Sequence, residues 1–126
     1  MKAGKCILTG CDANQFWMLP WWFTNLRKRM PEIPVVVADF GLTNEMRKMC
    51  ENAKVELISV SKIKDKKTWL MKPKAMLSSP YDHTCWMDVD CEVRLPITDI
   101  FQYAEEEKLG LTPDPYSFAN KWAYWQ

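Results

Sequence analysis

Val35-Val36-Val37-Ala38-Asp39 is a run of three β-branched residues and an alanine, closed by an acid. A strand with no polar face must be covered on both sides, and in parallel sheets helices supply both covers. Working outward, Pro31 and Pro34 end the segment before it, Phe16 to Met30. That segment sets Leu19, Phe23, Leu26 and Met30 on one face at helical spacing. Asp12 or Asn14 caps it, Pro20 falls near its first turn, and Arg27, Lys28 and Arg29 suit the dipole of its last turn. Cys6-Ile-Leu-Thr9 precedes it as a short apolar strand closed by Gly10. After Asp39, Thr43 or Asn44 caps a second helix whose apolar stripe is Met46, Met49 and Cys50. Val55 to Val60 reads as a third strand, Trp69 to Ser79 as a third helix with Pro73 in its first turn, and Thr84 to Met87 as a central fourth strand. Strands alternating with helices predict an α/β domain with a mostly parallel central sheet flanked by helices. Beyond it, Cys91 to Val93 is expected to be extended, Pro96 to open a turn or short helix with Ile100 and Phe101, and Gly110 to Pro113 to form another strand. His83, in a Tyr-Asp-His segment, reads as a surface turn residue.

Length and composition bound the function. A chain of 126 residues, 48% apolar and 26% charged, suits a single domain spanning 1–126 with a core of its own. Disorder throughout is excluded, and no apolar run approaches the ~18 residues of a membrane-spanning helix. Net charge is +1, which argues against a dedicated nucleic-acid binder. The basic run Lys62, Lys64, Lys66 and Lys67, broken by Asp65, reads as a solvated loop. The five cysteines are scattered without a C-x-x-C, which argues against a disulfide framework or structural zinc and favours the reducing cytoplasm. The seven tryptophans read first as packing residues, and otherwise as an aromatic surface for a sugar ring or a partner.

The chemistry points to Asp88-Val89-Asp90, at the end of the fourth strand. In open parallel sheets, ligands bind outside the carboxyl ends of the strands. Two carboxylates this close repel, and a divalent cation relieves the repulsion. Hard ions such as Mn2+ or Mg2+ take carboxylate oxygens together with nucleotide phosphate oxygens. Lys72, on the helix feeding that strand, is in reach of a phosphate or a sugar hydroxyl.

The stretch from Lys72 to Asp90, KPKAMLSSPYDHTCWMDVD, resembles the core of glycosyltransferases with the nucleotide-diphospho-sugar transferase (GT-A) fold, a Rossmann-like αβα architecture. It is most similar to the glycogenin and lipopolysaccharide galactosyltransferase group. Asp99-Ile-Phe101 resembles that group's D-[IL]-F element. Ile7-Leu-Thr-Gly-Cys-Asp12 resembles its first strand and nucleotide-binding turn, and Gly110-Leu-Thr-Pro-Asp114 the strand after the D-F element. The resemblance implies a glycosyltransferase that moves a sugar from a nucleotide-sugar, with a uridine diphosphate sugar as favoured donor, to a glycan, lipid or protein hydroxyl. Asp88 and Asp90 would hold the Mn2+ or Mg2+, with Asp90 the firmer and catalytic ligand. Lys72 would contact the donor sugar or phosphate. Val89 would approach the ribose through its backbone, and Thr9, Gly10 and Cys11 would line the nucleoside pocket. Asn14 stands where the group has a tyrosine stacked on uracil, with Phe16 or Trp17 as its substitute. The group's later N-[ST]-G segment and metal-binding histidine have no counterpart in these 126 residues. The alternative expectation is therefore a truncated or non-catalytic domain that binds nucleotide-sugar or a protein partner, with self-association or a partner chain covering apolar surface.

Overall fold

The computed structural model describes residues 1–60, 68–104 and 109–111. Strand β1 (Lys2–Cys11) leads through a single 3₁₀ turn to α1 (Leu19–Arg29), then β2 (Val35–Asp39), α2 (Asn44–Asn52) and β3 (Glu56–Ser59). A second 3₁₀ turn (Thr68–Met71) runs into α3 (Lys72–Leu77), followed by β4 (Tyr81–Trp86) and a 3₁₀ segment, Thr98–Tyr103. The four strands form one parallel sheet in the order β3-β2-β1-β4. The fold is therefore α/β with an all-parallel, Rossmann-like sheet, as the β-branched run at 35–38 requires.

Each strand divides its side chains between two layers. Ile7, Cys11, Val35 and Val37 pack with Leu19, Trp22 and Leu26 of α1 and Cys50 of α2. Cys6, Leu8, Val36 and Ala38 pack on the opposite face with Met71 and with Ala75 of α3. Local chemistry sets the boundaries between elements. The Thr43 hydroxyl accepts from Met46 N at 3.2 Å and starts α2. Arg27 donates to the carbonyls of Met30, Pro31 and Ile33, and so closes α1 beyond its last turn. Asn25 Oδ1 takes the amide of Val93 and ties the segment after β4 to α1.

Several expectations need correcting. β1 is longer than Cys6–Thr9, because its exposed polar end reaches back to Lys2, which pairs with Tyr81 of β4. His83 is not in a turn: it lies half-buried within β4, opposite Lys5 of β1. β4 is not central, and among the described residues it pairs only with β1. Met49 faces solvent rather than the apolar stripe of α2. α3 is shorter than Trp69 to Ser79, since its first part winds as a 3₁₀ turn. Gly110 and Leu111 form no strand. The basic connection 61–67, the end of the 110–113 stretch and the aromatic tail 116–125 lie outside the described residues. Among the described residues, no helix is long and apolar enough to cross a membrane.

One close approach sets the packing over the carboxyl half of β1. The Phe40 and Trp86 rings stack with centroids 6.4 Å apart, directly over Gly10. A Cβ at position 10 would lie 2.5 Å from Phe40 Cε2 and 3.0 Å from Trp86 Cη2. Phe40 is buried and has little room to retreat. Gly10→Ala is therefore expected to lower the unfolding free energy by about 1–3 kcal/mol, the usual cost of overpacking. Urea denaturation checks this, and an unchanged midpoint would mean that the rings part freely.

Candidate functional site

The strand order reverses between β1 and β4. The chain builds outward from β1 to β2 to β3, then crosses back to lay β4 on the other side of β1. The chain leaving β1 and the chain leaving β4 pack in the same layer, on the α1 face. In open α/β sheets, ligands bind outside the carboxyl ends of the strands where the strand order reverses. α3 feeds β4, so its first residue, Lys72, begins over those same carboxyl ends.

Acidic side chains follow three of the strand ends, and they do different work. Asp12, after β1, accepts from the amides of Asn14 and Gln15 at 2.9 and 3.1 Å and shapes the turn into α1. Asp39, ending β2, accepts from the amides of Gly41 and Leu42 at 2.9 and 2.7 Å and from Arg47 Nε at 2.6 Å. Both carboxylates are built into their own loops. Asp88 differs, because among the described residues it is held by side chains and by no loop amide. Lys72 Nζ lies 2.5 Å from Oδ1, and Trp86 Nε1 donates to the same atom at 2.7 Å. Burial alone would push the Asp88 carboxyl up; the Lys72 ammonium and the Trp86 indole outweigh it and hold the group below the ordinary aspartate value.

Val89 turns the other way, buried in the α1 layer, and so acts as the peg between the two acids. Asp90 is exposed, in a turn closed by Cys91 N to Asp88 O at 3.0 Å. Among the described residues its carboxylate makes no hydrogen bond or ion pair. Asp88 Oδ2 and the Asp90 carboxylate are thus the oxygens at this strand end that the protein leaves open. No group of three or more His, Cys, Asp or Glu side chains forms a metal cluster among the described residues. A hard cation here would complete its shell from phosphate and water, the usual habit of magnesium. The donor set fits such an ion.

The nucleoside-pocket residues are placed less openly. Thr9 and Cys11 are fully buried in β1, and Gly10 lies beneath the Phe40–Trp86 stack. Thr9 Oγ1 is buried and finds no hydrogen-bond partner among the described residues. Burial pushes the Cys11 thiol up to about 12 and the Cys85 thiol to about 11, so neither is a ready nucleophile. Asn14, in the turn that follows, is exposed. Phe16 is buried, whereas Trp17 is 76% exposed. Sequence reasoning overlooked Phe40. The signal was present, in an aromatic just past the end of one strand and a glycine in the strand beside it.

No protein-family model and no curated protein matches this chain.

Asp39 yields a direct test of these electrostatics. Burial would raise its carboxyl, but Arg47 and the two loop amides overcome this and lower it beneath 3.8. A depressed acid stabilises the fold above its unfolded value and loses that contribution as pH falls through its native value. Asp39→Ala is expected to cost about 1–3 kcal/mol at pH 7. The gap from the parent protein should narrow steadily below about pH 4. Chemical denaturation across pH 2–7 measures both, and a gap independent of pH would refute the assignment.

Proposed function

We propose that this chain is a glycosyltransferase domain of the GT-A type. It binds a nucleotide-diphospho-sugar and a divalent cation at the carboxyl ends of β1 and β4. The observation that supports the reading most is the reversal of strand order between β1 and β4, with Asp88, Asp90 and Lys72 at the carboxyl end of β4. The Asp-x-Asp pair is a weak signal in isolation. At a switch point, with one carboxylate anchored and the other open, it gains its weight.

Asp90 and Asp88 Oδ2 would hold Mn2+ or Mg2+, which when bound neutralises charge on a departing diphosphate. Lys72 presents a flexible ammonium with three donors, suited to a phosphate oxygen or a sugar hydroxyl. Trp86 fixes Asp88 from below, so the carboxylate keeps its direction when the lysine moves. The Asp12–Gln15 turn supplies the exposed edge for the nucleoside, with Asn14 at its tip and Trp17 beyond as an aromatic face. Thr9, Gly10 and Cys11 serve that edge from beneath, as the buried floor of the strand. In the reaction, the bond from the anomeric carbon to the diphosphate oxygen breaks, and the electron pair leaves with the diphosphate. The acceptor hydroxyl oxygen forms the new glycosidic bond and gives its proton to solvent. The five free cysteines suit a reducing compartment, and we assign the protein to the cytoplasm on that ground.

Calorimetric titration with a panel of nucleotide-sugars, in manganese and then in chelator, tests the site. Metal-dependent binding of one donor is expected, and no binding of any donor would overturn the reading. Asp90→Ala should weaken donor binding at least about tenfold, the scale seen even for outer partners of a metal. It should leave the melting temperature unchanged, because the side chain is exposed. Release of free nucleotide in the presence of an acceptor separates a transferase from a domain that only binds.

A further inference from the structure

We propose that Lys72 couples cation binding to nucleotide binding, acting as an internal counter-ion that releases Asp88 when a diphosphate arrives. The inference rests on the donor-site reading above and goes beyond it, because it assigns the residue that couples the two ligands of the site.

The geometry is that of an occupied carboxylate. Lys72 Nζ and Trp86 Nε1 share Asp88 Oδ1, at 2.5 and 2.7 Å. The ammonium also lies 5.8 Å from the centroid of the Trp86 ring, within cation–π range. That ring is immobilised in turn by Phe40 and by the absence of a side chain at Gly10. Lys72 is therefore guided to a rigid position, although it sits on a flexible stem. Both partners remain partly open to solvent, with 36% and 44% of their side chains exposed. Ion pairs of that exposure open at little cost.

A cation arriving alone meets a poor site. The charge of Asp88 is already compensated, one of its oxygens carries two donors, and an ammonium stands in the way. Repulsion between like charges at this range is substantial. A nucleoside diphosphate changes the balance, since its phosphate oxygens compete for the ammonium and add ligands for the cation. Lys72 then swings to the phosphate, and Asp88 regains an uncompensated charge while Trp86 still holds its direction. Cation and diphosphate each strengthen the other, and by linkage the factor is the same in both directions.

Electron paramagnetic resonance of free Mn2+ reads this directly, with uridine diphosphate and guanosine diphosphate as probes. Three proteins are compared: the parent, Lys72→Gln, and Lys72→Arg, which keeps the charge. Mn2+ alone is expected to bind Lys72→Gln about tenfold more tightly than the parent. A diphosphate is expected to tighten Mn2+ binding to the parent by about tenfold or more, and to Lys72→Gln much less. Lys72→Arg should behave as the parent does. The proposal is overturned if Lys72→Gln binds Mn2+ alone no better than the parent, or if the diphosphate strengthens Mn2+ binding equally in both. In those cases the donor site itself stands. If no protein binds Mn2+ even with a diphosphate, the donor-site reading falls as well. Lys72 is only half-buried, so the melting temperatures of all three proteins should agree and confirm that each is folded.

Discussion

Burial of β1 on both faces and along both edges is the constraint on which the rest of the structure depends. From Cys6 to Cys11 the strand has no exposed residue, and its neighbours β2 and β4 take the hydrogen bonds of its two edges. Such a strand needs a helical layer above and another below, which α1 with α2 and α3 provide. Once β1 is central and β3 closes one side, β4 must add at the other side. The reversal of strand order between β1 and β4 follows from that topology.

The same constraint explains why Gly10, Phe40 and Trp86 form a unit. Gly10 is the point where the α3 face of β1 lacks a side chain, and two aromatic rings fill the space. Trp86 thereby acquires a fixed direction and aims its N–H at Asp88. Packing in the core is thus transmitted to the orientation of one carboxylate at the surface, and through it to Lys72. The charge of Asp88 is met in the structure by the Lys72 ammonium.

Much of the scaffold was legible because apolar runs are local signals. Val35–Ala38 and the alternation around it located the helices and strands, and Thr43 announced the start of α2. The misreadings fall where burial is partial. Lys2 to Lys5 and Tyr81 to His83 pair at the edge of the sheet and carry polar residues, so neither shows a strand pattern. Met49 matched helical spacing but falls outside the buried arc of a short helix. In the site, Asp88, Asp90 and Lys72 could be singled out from sequence. That Lys72 and Asp88 touch depends on how α3 packs back along β4, which neither residue's immediate neighbours reveal. The sharing of a single oxygen by Lys72 and Trp86 belongs to side-chain geometry alone.

The central claim is that the functional site lies at the carboxyl ends of β1 and β4. Paramagnetic broadening of backbone amide signals by Mn2+, with a nucleoside diphosphate present, maps this most directly. The account expects signals from Cys11 to Asn14, Lys72 and Trp86 to Cys91 to vanish first, while Lys5 and His83 at the other end of the strands persist. Broadening centred on Lys5 and His83, or spread evenly over the chain, would contradict it.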